Sequence, residues 1–173
     1  MPDRSGTMSE ANFSDPSSDD FEALSRDRIP VRSMVEADLP AIIAIDRKIT
    51  GRDRGAYYRR KLAEVLEQSG VRVSLVAEVD GQFAGFVMAR LDYGDFGRTL
   101  STGVIDTIGV SPDLAGREVG RALLSQLLIN LASLRVEKVR TTVAWNQFGL
   151  LGFLEKAGFR PAQRLSFRRA VRT

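Results

Sequence analysis

The 173-residue chain contains no cysteine and no histidine. Those two absences exclude a disulfide, a cysteine nucleophile, an acyl-cysteine intermediate, a Cys/His zinc site and a Ser-His-Asp triad. Any proton transfer falls to Asp, Glu, Lys, Tyr, water or the backbone. Long hydrophobic runs are missing too: no uninterrupted apolar stretch approaches the roughly 20 residues that span a bilayer. The opening stretch MPDRSGTMSEANFSDPSSDDFEA is polar and acidic, unlike a secretory signal or an Arg-rich transit peptide. The expected location is therefore the cytoplasm, with no membrane partner and no metal.

What is present fits one soluble domain with a sizeable core: 43% of residues are hydrophobic and 27% charged. The charge is unevenly placed. Residues 1–28 hold seven acids and three bases, a net of −4, whereas the whole chain is +3, so residues 29–173 carry +7. The first segment, rich in Ser, Asp and Pro, reads as a flexible acidic tail, and residues 29–173 as the domain. A basic domain suits nucleic acid, an acidic protein or a polyanionic cofactor, or simply presents a basic solvated surface. No interleaved aromatics or recognition helix support nucleic acid, so no nucleic-acid partner is expected.

Ile29 to Met34 alternates as a half-buried strand does. Pro40 is tolerated only in a first helical turn, so a helix starts near Glu36 or Ala37. Gly51 to Gly55 (GRDRG) is a basic loop. Tyr57, Lys61, Leu62, Val65 and Leu66 mark an amphipathic helix that Gly70 stops. Val71–Val79 and Gln82–Leu91 are strands around the hairpin signal Asp80-Gly81. Tyr93 to Ser101 is a loop and Val104–Val110 a strand. Val119, Leu123, Leu127, Leu131 and Leu134 line a long helix. Val139–Val143 is a strand, Phe148–Lys156 a short helix, and Phe159–Val171 one or two last strands. The order β-α-α-β-β-β-α-β-α-β predicts an α/β chain with a mixed sheet and helices on its faces.

The informative stretch is IDTIGVSPDLAGREVGRALL, residues 105–124. A strand enters a short turn containing Gly and Arg and then a helix, whose first N–H groups and positive dipole end suit an anion such as a pyrophosphate. Gly116 and Gly120 permit close approach of a ligand, and Arg117 and Arg121 can add charge-assisted contacts. The same spacing also fits an ordinary strand-to-helix connection with surface arginines. It matches neither a Walker A loop nor a dinucleotide fingerprint.

Here the sequence resembles the GNAT superfamily of N-acetyltransferases. That family carries a strand ending in apolar-x-Val, a Pro two residues on, a turn of form Arg/Gln-x-x-Gly-x-Gly/Ala, and a helix with a Leu-Leu pair. This chain has Ile108-Gly109-Val110, Pro112, Ala115-Gly116-Arg117-Glu118-Val119-Gly120 and Leu123-Leu124, departing at Ala115 and Glu118. Downstream, Asn146, Phe153, Glu155, Lys156, Gly158 and Phe159 fit the family's second pattern.

The resemblance covers residues 29 to 171. It implies a central, mostly antiparallel, twisted sheet of about six to seven strands with about four helices. It also implies direct transfer of acetyl from acetyl-CoA, as co-substrate, to a primary amine of a small molecule or a peptide. Ile108, Gly109 and Val110 would meet the pantetheine arm. Gly116, Arg117, Glu118, Val119, Gly120 and Arg121 would hold the pyrophosphate, and Asn146, Phe153 and Lys156 complete the cofactor contacts. Asp106 is the candidate base, read as sharing the strand parity of Ile108 and Val110, with Glu78 weaker. Phe153 stands where many relatives place a Tyr acid. Tyr57, Tyr58 and Tyr93 are the other hydroxyls. The basic segment 46–60 fits an acidic peptide, a substrate carboxylate or a solvated helix face. A catalytically weak acetyl-CoA-binding regulatory module is the rival reading, and a homodimer is left open.

Overall fold

The computed structural model describes residues 28–67, 73–92, 101–163 and 169–170. Strand β1 (Val31–Ser33) is followed by a 3-10 turn at Glu36–Asp38 and helices α1 (Leu39–Thr50) and α2 (Gly55–Glu67). Strands β2 (Leu75–Val79), β3 (Gln82–Asp92) and β4 (Thr102–Val110) come next, then a 3-10 turn at Pro112–Leu114, helix α3 (Val119–Ser133), strand β5 (Lys138–Thr141) and helix α4 (Phe148–Lys156). The five strands form one mixed sheet in the order β1-β2-β3-β4-β5. The pairings β1–β2, β2–β3 and β3–β4 are antiparallel. Helix α3 then carries the chain from β4 to its neighbour β5, the crossover that a parallel pair requires.

Local chemistry accounts for these boundaries. Pro40 is the second residue of α1, where its missing N–H costs nothing, and α1 stops as the Gly51 N–H bonds the Arg47 carbonyl at 2.8 Å. The 82–91 strand and the two helices read at Val119 and Phe148 lie where the apolar periodicity puts them. The strand count differs from the expected six or seven. Among the described residues there are five strands, and no strand forms over 159–163. The rest of the expected Phe159–Val171 strand region falls largely on 164–168 and 171, outside the described residues, as do the tail 1–27, the Gly70 stop and most of the Tyr93–Ser101 loop.

The chain divides into two compact units, one up to Arg140 and one from Thr141. In the first, β3 presents alternate residues to two helix layers. Phe86 and Met88 join Met34, Ile42, Ile45, Tyr58, Leu62 and Val76 in a core beneath α1 and α2. On the opposite face, Val119, Ala122, Leu123, Leu127 and Leu131 form the buried stripe of α3. In the second unit, α4 buries Leu154.

Candidate functional site

The C-terminal end of β4 and the start of α3 form one continuous piece of backbone. Ile108, Gly109 and Val110 pair with Val87, Phe86 and Gly85. The ladder extends one step further, the Ser111 N–H donating to the Ala84 carbonyl at 2.8 Å. The chain then makes the Pro112–Leu114 turn and passes through two left-handed residues, Gly116 (φ 81°) and Glu118 (φ 61°). At Gly116 the conformation explains the residue type, because an L side chain there is strained. Glu118 is the N-cap of α3 and places no side chain on the helix N–H groups. The first intrahelical bond is Ala122 N–H to Glu118 carbonyl at 2.9 Å. The helix therefore begins without a side-chain cap on the backbone donors of its first turn.

The charged residues of this turn are held in place. Arg117 Nη1 lies 3.7 Å from Asp80 Oδ2 at the tip of the β2–β3 hairpin, and Arg121 Nη1 lies 3.4 Å from Glu118 Oε1. Glu118, the acid that sits poorly beside a phosphate, is thus partly neutralised by Arg121. Lys48 of α1 meets Asp113 at 2.5 Å and holds that exposed carboxyl below its usual range. Val119 is buried, so only its backbone is available to a ligand. Gly109 has a packing reason for its missing side chain. A Cβ there would stand 2.7 Å from the Phe86 ring.

Asp106 sits where β4 departs from regular pleating. Met88 pairs with Thr107 and Ala89 with Ile105, leaving Asp106 as the extra residue of a bulge. Strict alternation would have put Asp106 on the face of Ile108 and Val110. The bulge corrects that expectation: Asp106 turns toward α2, onto the face where Thr107 meets Tyr58 and Gly109 meets Phe86. Its Oδ2 lies 3.0 Å from Lys61 Nζ of α2 and 3.3 Å from Arg90 Nε of β3. That oxygen is enclosed, and the two ion pairs lack hydrogen-bond alignment. Lys61 also approaches Glu64 Oε2 at 3.5 Å. Glu78, the weaker candidate, accepts from Arg32 Nε at 2.9 Å and belongs to a pairing of β1 with β2.

Beside Asp106 lies a network that periodicity does not reveal. Asp46 of α1 is buried and bridged to Arg54 through both carboxylate oxygens, with Nε to Oδ2 at 2.8 Å. The Tyr58 hydroxyl donates to Asp46 Oδ1 at 2.9 Å. Burial works against the Asp46 carboxylate, but Arg54 and Tyr58 outweigh it and hold the carboxyl below its usual range. Burial, helped by Asp46, pushes the Tyr58 phenol up to about 12, although a Thr107 hydrogen bond opposes the rise. Tyr58 is locked in the core with its hydroxyl committed to Asp46. Tyr93 lies outside the described residues. The signal available in the sequence was Asp46 on the apolar face of α1, eight residues before Arg54.

In the second unit, Asn146 is exposed before α4, Phe153 is half-buried within it, and Lys156 is exposed in its last turn. Among the described residues no group of three metal-ligating side chains forms, and no helix is long and apolar enough to cross a membrane.

Residues 39–159 match the model of the acetyltransferase (GNAT) family. Solved structures share the fold at low identity. A transcriptional regulator from Bacillus halodurans C-125 is 15% identical with a TM-score of 0.70, covering 83% of this chain and 99% of its own. The aminoglycoside acetyltransferase AAC(6')-Iy, in complex with the bisubstrate analogue CoA-S-monomethyl-acetylneamine, is 18% identical with a TM-score of 0.68, covering 83% and 98%. A Trypanosoma brucei acetyltransferase is 22% identical with a TM-score of 0.63, covering 82% and 99%.

Proposed function

As the chain belongs to the GNAT acetyltransferase family, we propose that it moves the acetyl group of acetyl-CoA directly to a primary amine. The observation that carries this reading is the uncapped start of α3, reached through left-handed Gly116 and Glu118 at the end of β4. Backbone donors and a positive helix end at one place suit a pyrophosphate. Arg117 and Arg121 add positive charge at the same turn.

When bound, acetyl-CoA supplies the activated acetyl group. In this reading Gly116, Arg117, Glu118, Val119, Gly120 and Arg121 hold its pyrophosphate, and Ile108, Gly109 and Val110 line its pantetheine arm. Asn146, Phe153 and Lys156 are assigned cofactor contacts on the family pattern alone. In this reading backbone N–H groups along the Ile108–Val110 strand edge would polarise the thioester carbonyl as it becomes an oxyanion. The acceptor ammonium, near pKa 10 when unperturbed, must lose a proton before it reacts. Asp106 takes that proton, the amine nitrogen forms the new C–N bond and then gives up its second proton to solvent, and the C–S bond breaks to give the thiolate of CoA. A thiol pKa of about 8.5 makes that thiolate a tolerable leaving group, protonated from solvent.

Calorimetric titration with acetyl-CoA, followed by transfer assays on a panel of primary amines, tests the proposal. Micromolar binding and amine-dependent release of CoA are expected. No binding and no release by the folded chain would overturn it.

A further inference from the structure

We propose that the acceptor is a small amino carboxylate, a molecule that carries its reacting amine close to a free carboxylate. The inference rests on the acetyltransferase reading and names the substrate class of that same site.

The argument starts from the two oxygens of Asp106. Oδ2 is enclosed and engaged by Lys61 and Arg90. The side chain as a whole keeps 14% exposure, which leaves Oδ1 as the oxygen open to a ligand. Lys61 is already shared between Asp106 at 3.0 Å and Glu64 at 3.5 Å. Arg90 is different. It meets Asp106 through Nε at 3.3 Å, and among the described residues its terminal nitrogens engage no other side chain, while the side chain stays 42% exposed. The bulge thus brings a carboxylate whose Oδ1 is engaged by neither cation into contact, through Oδ2 and Nε at 3.3 Å, with a guanidinium whose fork is uncommitted.

Each half of that pair calls for the opposite charge. Oδ1 suits an ammonium, and the Arg90 fork suits a carboxylate, which it can grip through two parallel hydrogen bonds. Arg90 Nε and Asp106 Oδ2 are already in contact, so the two ligand charges must sit close together on one molecule. A zwitterion with amine and carboxylate on neighbouring or next-neighbouring carbons meets that condition. A polycationic amine does not, because its further charges would face Arg90 and Lys61.

The test compares amino acids with their carboxamides as acceptors, using the full chain. The carboxamide amine is the more easily deprotonated, so intrinsic reactivity favours the amide and a preference for the acid reports recognition. Free acids are expected to exceed their amides by about tenfold or more in kcat/KM, the scale of a hydrogen-bonded charge contact. Arg90→Gln should collapse that ratio by raising KM for the acid, and Arg90→Lys should restore only part of it. Thermal melts verify that both variants fold. Equal or better use of amides by a wild-type chain that transfers acetyl groups would overturn the inference while leaving the acetyltransferase reading intact. So would an unchanged KM for the acid in a folded Arg90→Gln chain. Absence of both acetyl-CoA binding and transfer overturns the two together.

Discussion

Lys61 Nζ, on α2, lies 3.0 Å from Oδ2 of Asp106, the bulge residue of β4. The lysine is 17% exposed and the aspartate 14%, so the pair joins a helix to the sheet largely out of water. Lys61→Met strips Asp106 of a cation and leaves an enclosed oxygen with Arg90 alone. Leaving that partly buried oxygen under-satisfied costs about 1–3 kcal/mol. Urea unfolding should show that loss, and the Lys61→Met/Asp106→Asn double variant should recover part of it, giving a coupling of about 1 kcal/mol. Additive effects would mean that the two groups do not interact.

Activity gives a separate reading of the same aspartate. If Asp106 takes the acceptor proton, Asp106→Asn lowers kcat by roughly 10²-fold or more. The acetyl-CoA dissociation constant should stay close to wild type, and the acid limb of the kcat pH profile should disappear. A folded Asp106→Asn chain with the wild-type pH profile would remove Asp106 from that role.

The bulge explains why this residue was legible in kind but not in orientation. Periodicity placed a strand through Ile108 and an acid two residues before it, and alternation then assigned both to one face. One inserted residue between Ile105 and Thr107 reverses that assignment, and composition carries no mark of it. The helices at Val119 and Phe148 were readable because their apolar positions recur at the helical period. The basic segment 46–60 does not act as a uniform set of solvated cations, because Arg54 is committed to buried Asp46. Tertiary pairing of that kind leaves no periodic trace.

Burial of the Tyr58 phenol, and the Arg54 and Tyr58 hydrogen bonds to buried Asp46, make stability depend on pH at both ends. Tyr58 holds its proton up to about 12 in the fold, whereas an unfolded phenol ionises near 10. Its contribution is therefore complete below about pH 10 and lost as pH rises through about 12, a loss of about 3 kcal/mol at most. Asp46 works in the other direction. Its depressed carboxyl stabilises the fold above the unfolded value of 3.8 and loses that effect as pH falls through its folded value. Tyr58→Phe should abolish the alkaline loss and blunt the acid one, read by denaturant melts across pH. Retained acetyl transfer in that variant would confirm that its hydroxyl is not the proton donor.

Gly109 and Phe86 form a matched pair across β3 and β4. A methyl at Gly109 would stand 2.7 Å from the Phe86 ring edge and 2.9 Å from its tip. Gly109→Ala is expected to destabilise by about 1–3 kcal/mol through overpacking. Adding Phe86→Leu makes room, so the double variant should be more stable than the sum of the two single losses predicts. Simple additivity would show that the glycine is required for some reason other than the ring.

The last prediction separates the cofactor turn from the rest of the site. Gly120 is the second residue of α3, and Glu118, its N-cap, lies 3.4 Å from Arg121. Gly120→Glu adds an acid where a pyrophosphate would sit. It should weaken acetyl-CoA binding by roughly tenfold or more, as an unfavourable charge at a helix start does. Glu118→Gln makes the opposite change. It removes an acid from the same turn, so acetyl-CoA affinity should rise, most at low ionic strength where exposed charges are least screened. The two variants moving affinity in opposite directions, with melting temperatures showing that both fold, would tie the pyrophosphate to this helix start. If both left the dissociation constant unchanged, the phosphate site would have to be sought elsewhere in the chain, although the fold itself would be unaffected.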